Sequence, residues 1–237
     1  MYVPDLLQAC DDAYSVCDVT AGPDGRDGAL VQHLHSGDVL IAFRGTQSQP
    51  NAASVWDWIN DLRAELVEAE GFPGRVHAGF LDSLNALWSG LFDALERPAL
   101  TAEEQAKLPW NKSLWITGHS KGGALAQLAG CRLAALKPTV VTFAAPMVGD
   151  LDFSGLYPDD VNVTRYESAH DIVPHLPPLW YRAVGKCVHE VVSPEQPYLR
   201  SIYQHRLRGV PWEQIVQAHQ ISTYRAWLSG QSPRVAS

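Results

Sequence analysis

The chain has 237 residues, 46% of them hydrophobic, and a formal net charge of −8. That length fits a single domain spanning 1–237 with a sizeable core. The acidic balance excludes the basic footprint a nucleic-acid partner would need. No apolar run approaches the roughly 18 residues that cross a bilayer. The N-terminal MYVPDLLQACDDAYSV has no basic region ahead of an unbroken apolar stretch, so no secretory signal is expected.

Four cysteines, Cys10, Cys17, Cys131 and Cys187, show no C-x-x-C spacing, so neither a zinc knuckle nor a dithiol redox motif is expected. Cys10 and Cys17 are seven residues apart on a helix-like stretch, a rise of about 10 Å. Disulfide Cα atoms lie about 4–7 Å apart, so the two do not bridge. All four are read as buried thiols. A reducing, cytoplasmic location is favoured over secretion.

In chain order, PDLLQACDDAYSV has helical apolar spacing behind Pro4, and TAGPDGRDG is a turn cluster. ALVQHLHSGDVLIAFRG predicts two strands joined by a Ser-Gly-Asp turn, and FLDSLNALWSGLFDALERP a helix that stops at Pro98. TAEEQAKLPW predicts a short polar helix or loop, SLWITG a buried strand, and GGALAQLAGCRLAAL a small-residue helix ending before Pro138. PTVVTFAAP, VNVTRYE, LWYRAVG and CVHEVV read as strands, and QISTYRAWL as a final helix. Strands alternating with helices predict an α/β fold, a mostly parallel sheet covered on both faces.

WITGHSKGG carries a G-x-S-x-G pattern around Ser120. Three fixed positions match by chance about 0.1 times in a chain of this kind, so the pattern alone is weak. Its context is stronger. A buried strand enters the turn and a helix leaves it, which is the strand–turn–helix that exposes a nucleophilic serine. Gly118 and Gly122 permit the strained backbone and close chain approach. Ala124 and Ala126 let the helix approach the sheet, and the helix N-terminus favours negative charge near Ser120.

A serine needs a base, and the base needs an orienting carboxylate, in the chain order Ser, Asp or Glu, His. Asp150 and Asp171 compete for the acid. Asp171 follows the strand VNVTRYE and precedes the proline-stiffened IVPHLPP, which suits a fixed carboxylate. Asp150 suits the cap of LDFSGL. Of the later histidines, His175 is four residues from the acid and cannot easily serve it and reach Ser120. His189 falls in a strand-like run, and His205 sits among basic neighbours. His219, near the start of the last helix, is the expected base. Two donors should meet the oxyanion: the backbone N–H of Lys121, and Thr46, at the end of the strand and turn DVLIAFRGT.

The blocks IAFRGT, VHAGF, ITGHSKGGALAQLAG, VTFAAPMVGD, RYESAHDIVPHLPP and AHQISTYRAWL, from Leu40 to Leu228, resemble the class 3 (fungal-type) lipases in sequence and order. The resemblance implies an α/β-hydrolase fold, carboxylic ester hydrolysis and no cofactor or metal. It assigns nucleophile to Ser120, acid to Asp171, base to His219 and the oxyanion hole to Thr46. Lys121 departs from the family, which usually has an apolar residue there, and its charge bears on which acyl groups fit. The family's secretory disulfide pattern is not evident.

Between Thr46 and His77, SVWDWINDL is amphipathic and rich in large apolar side chains, with Ser54 as its N-cap. It is either a lid within 47–62, which would meet a lipid interface on opening, or a helix packed permanently on the sheet. Asp57 and Asp61 read as its solvated side. The expected function is hydrolysis of acylglycerol-like or other lipophilic esters by a serine enzyme. Phospholipase A1 and feruloyl or aryl esterase activity stay open, as do thioester or amide cleavage and a catalytically silent hydrolase-fold binding protein.

Overall fold

A computed structural model describes residues 1–34, 36–46, 65–96, 113–177, 179–189 and 211–230. The stretch 47–62, TAEEQAKLPW and His205 lie outside the described residues.

The first helix, α1 (Val3–Ser15), carries Pro4 in its first turn and buries Leu6, Leu7, Ala9, Cys10 and Ala13 on one side, the stripe its spacing predicts. Three strands follow: β1 (Val19–Ala21), β2 (Asp27–His33) and β3 (Val39–Phe43). They pair antiparallel in succession. The small ribbon β4 (Leu66–Glu68) and β5 (Arg75–His77) precedes the long helix α2 (Ala78–Glu96). Strand β6 (Leu114–His119), helix α3 (Lys121–Arg132), strand β7 (Thr139–Phe143), short helix α4 (Leu151–Gly155) and strand β8 (Asn162–Glu167) then alternate. After β9 (Lys186–His189) come α5 (Trp212–His219) and α6 (Ile221–Leu228).

The sheet order is β1-β2-β3-β6-β7-β8-β9, parallel from β3 onward. Strand alternation splits the core in two. On β3, Ile41 and Phe43 join the cluster with α2 and α3, while Leu40 and Ala42 join α1 and Tyr224 of α6. Helices therefore cover both faces, as the α/β pattern requires.

Four expectations are corrected. LWYRAVG is not a strand: Arg182 makes an isolated bridge to Gly149, which also bridges Val76 of β5, so this segment lies beside Gly149 and does not extend the seven-stranded sheet. The turn cluster TAGPDGRDG contains part of β1, three residues too short for alternation to reveal. A helix over Trp212–His219 precedes the expected final one and moves His219 to its C-terminal end. Of the four free thiols, Cys10 and Cys131 are buried, but Cys17 and Cys187 are only partly so.

Asp150 takes the capping role expected of it. Its side chain accepts from Phe153 N at 3.0 Å at the head of α4 and from Arg75 Nε at 3.0 Å. Burial works against its charge, but these hydrogen bonds hold its carboxyl below the ordinary value. Replacing it leaves donors unsatisfied. Asp150→Ala should lower unfolding free energy by about 1–3 kcal/mol in urea titration while leaving Ser120 reactive toward a fluorophosphonate. Loss of that reactivity in a folded variant would reopen Asp150 as the acid.

Candidate active site

Ser120 sits between β6 and α3 with φ 57° and ψ −128°, a conformation that side chains rarely adopt. The surrounding backbone fixes it there. Ser120 N–H donates to Phe143 O on β7 at 2.9 Å, and Ser120 O accepts from Gly123 N at 2.9 Å. Glycine is obligatory on either side: a Cβ on Gly118 would overlap the Gly122 backbone, and one on Gly122 would overlap Phe43 O.

His219 ends α5, and the extended Gln220 separates it from α6. Its Nε2 lies 2.9 Å from Ser120 Oγ, and its Nδ1 lies 3.1 and 3.0 Å from the two oxygens of Asp171. A carboxylate can only accept, so the Nδ1 proton faces Asp171 and Nε2 is left to accept from the serine hydroxyl. The structure thus joins Ser120, His219 and Asp171 in one hydrogen-bonded line. His189 lies on β9, and His175 ends the 3-10 turn Val173–His175.

Asp171 is fully buried. Burial alone would raise its carboxyl, but the facing His219 and donors from His219, Val173 N and Tyr224 Oη hold it below the ordinary value. Tyr224 donates to Asp171 at 2.8 Å and accepts from Ser168 N at 3.0 Å. Burial, then the Asp171 charge, pushes its own hydroxyl pKa far up, so it stays a donor.

A second histidine underlies the line. His119 Nε2 lies 2.8 Å from the backbone oxygen of His219, and its Nδ1 lies 2.9 Å from Tyr14 Oη. The carbonyl can only accept, so His119 Nε2 donates and Nδ1 accepts from Tyr14. Burial and the neighbouring His219 push His119 down to about 3, which keeps it neutral. Tyr14, His119 and Tyr224 carry no motif that marks them in the sequence; only the position of His119 beside Ser120 offered a signal.

Thr46 ends the turn after β3, with its Oγ1 buried and without a hydrogen-bond partner among the described residues. Gly45 packs this turn on the serine elbow, and Arg44 ties it to β2 and the turn before it. A Cβ on Gly45 would meet Tyr14 Oη and His119 O. Arg44 N–H donates to Gly28 O at 2.9 Å, and the Arg44 guanidinium reaches Gly25 O and Asp27 O. Lys121 N–H heads α3, where no preceding turn supplies a carbonyl. Its side chain turns the other way: Nζ lies 2.6 Å from Asp27 Oδ1, with the side chains 18% and 5% exposed. The lysine charge is thereby paired with the strand that anchors the Arg44 turn.

A family model for Lipase (class 3) matches residues 40–181. The chain is similar to "Phospholipase A1-II 4" of Oryza sativa subsp. japonica, 31% identical over 73% of this chain and 48% of the relative. It is also similar to "Lipase ZK262.3" of Caenorhabditis elegans, 42% identical over 74% of this chain and 48% of the relative. The chain spans about half the length of these curated relatives. Among solved structures, the native Rhizomucor miehei lipase propeptide complex superposes with a TM-score of 0.62 at 25% identity, covering 78% of this chain and 67% of that one.

The depressed His119 ring gives a pH prediction. Below about pH 6.5 the unfolded chain protonates this histidine while the folded one does not until about 3. Stability should fall by about 1.4 kcal/mol per pH unit in that window from this group alone. Asp171 adds a loss at lower pH: its lowered carboxyl stabilises the fold above about pH 4, and that stabilisation disappears as pH drops through its folded value. His119→Gln should flatten the decline between pH 6.5 and 4 in urea titrations; an unchanged slope would contradict the buried neutral ring.

Proposed function

Because the chain belongs to the class 3 lipase family, we propose that it is a carboxylic ester hydrolase acting on lipophilic, acylglycerol-like esters through Ser120, His219 and Asp171. We read residues 1–237 as one α/β-hydrolase domain. The observation that carries the function is the 2.9 Å contact from His219 Nε2 to Ser120 Oγ with Asp171 at the opposite ring nitrogen. Ser120 Oγ attacks the ester carbonyl as its proton passes to His219 Nε2. Asp171 stabilises the resulting imidazolium without taking the proton. The Lys121 N–H and Thr46, with its unpartnered buried hydroxyl, hold the oxyanion. His219 then protonates the leaving alcohol, and water repeats the sequence on the acyl-enzyme.

Phospholipase A1 action on glycerophospholipids is the second reading, supported by the name of the rice relative. Both reactions cleave an acyl ester and need the same machinery. Contact with a lipid interface rests on the sequence of 47–62.

A fluorophosphonate should label Ser120, and Ser120→Ala and His219→Ala should each lower p-nitrophenyl ester hydrolysis by about 10⁴–10⁶-fold with unchanged far-UV circular dichroism. Absence of labelling in the folded protein would leave a silent binding protein; faster cleavage of matched amides would make it an amidase. A rate rise on passing the solubility limit of a medium-chain ester is the expected sign of interface contact. Smooth saturation would make it an ordinary esterase.

Lys121 supplies a separate test. Lys121→Met strands the buried Asp27 carboxylate and should cost up to about 3 kcal/mol of stability. Adding Asp27→Asn should restore most of it in a double-mutant cycle. Additive losses would mean that the pair contributes no coupling.

A further inference from the structure

At the far edge of the sheet, β8 and β9 run parallel with Glu167 opposite His189 and Arg165 opposite Cys187. Two-residue alternation puts these four side chains on one face. Cys187 Sγ lies 3.5 Å from His189 Nδ1, which lies 3.7 Å from Glu167 Oε2, and all three donor atoms fall within 4.8 Å of one another. Arg165 binds the other carboxylate oxygen, Oε1, and donates from Nε to Val184 O at 2.8 Å. Glu167 is thus held by one oxygen with the second turned toward the histidine. Its side chain is 3% exposed and that of His189 is 33% exposed, so an ion can reach the cluster from the histidine side.

We propose that Cys187, His189 and Glu167 form a binding site for a transition-metal dication of the zinc type. A thiolate, an imidazole and a carboxylate are a zinc donor set. Usual zinc bond lengths in a tetrahedron put a sulfur and a nitrogen ligand about 3.6 Å apart, and a nitrogen and an oxygen about 3.3 Å apart. The observed 3.5 Å matches the first edge, and the 3.7 Å between His189 and Glu167 needs a contraction of about 0.4 Å to reach the second. The sulfur-to-oxygen edge, no longer than 4.8 Å, closes to about 3.5 Å by rotation of the partly buried Cys187 and His189. The fourth position is left to water. Binding releases the Cys187 thiol proton to solvent. The thiolate and carboxylate then offset the ion's two charges, and Arg165 stays neutralised in part by Glu167, as now.

The site would fasten the edge strand β9 to β8 one residue ahead of Ser168, whose carbonyl accepts from Asp171 N. Motif spacing hides it, because the third donor comes from a neighbouring strand, 20 residues before Cys187. Its test reads metal binding, so it stands or falls independently of ester hydrolysis.

The chelator-treated full chain is titrated with Zn²⁺ and, separately, with Co²⁺. Expected are one tightly held ion per chain, a rise in melting temperature with Zn²⁺, and a near-ultraviolet thiolate-to-cobalt charge-transfer band. Cys187→Ser should abolish the band and the melting shift, and His189→Asn should weaken binding at least tenfold. If Cys187→Ser does not fold, His189→Asn carries the test alone. No stoichiometric binding would overturn the site, as would a band that survives Cys187→Ser or an affinity unchanged in folded His189→Asn.

Discussion

Backbone contact between β6, α3 and the end of β3 governs the arrangement around Ser120. With hydrogens alone at Gly118 and Gly122, the helix starts directly against the Phe43 carbonyl. Ser120 is carried into a positive-φ conformation that its bond to Phe143 O then secures. The same approach brings the Arg44–Thr46 turn to the elbow. A larger side chain at either glycine would separate Ser120 from that turn before it disturbed the core elsewhere.

Around this elbow the polar groups form a buried layer with few loose ends. His119 links the Tyr14 hydroxyl to the His219 carbonyl, and Tyr224 links the Ser168 amide to the Asp171 carboxylate. Each bond orients a group that orients another. Burial strengthens these bonds and also makes an orphaned member costly. The base is therefore gripped at its ring by Asp171 and at its main chain by His119. The Thr46 hydroxyl, buried and without a partner among the described residues, departs from this economy.

Legibility in the sequence followed the range of the interaction. The elbow at 118–122 was readable because its strand, turn and helix are contiguous. The strands β3, β6 and β7 were readable because both their faces are buried and their apolar runs are dense; β8, half-buried, was readable from its β-branched and aromatic residues. Residues with chemical roles could be ranked by chain order and by distance from strand ends, which singled out Asp171 and His219. What stayed hidden depends on register between distant segments. The Lys121–Asp27 pair joins positions 94 residues apart, and Tyr14 meets His119 across 105. Neither leaves a periodicity. LWYRAVG misled for the complementary reason: it has the composition of a strand, but its isolated bridge, Arg182 to Gly149, leaves it outside the seven-stranded sheet.

His219 reaches Ser120 from 99 positions further along the chain, after all the described strands of the sheet. During synthesis from the N-terminus, the parallel strands and the elbow can pair while Ser120 still lacks its contact with His219. The elbow segments emerge first, and α5 brings His219 to them. Helix α6 then fastens it, with Arg225 on Asp11 and Gln8 of α1. The first of the described helices thus holds the last, and the Ser120–His219 contact waits on that closure.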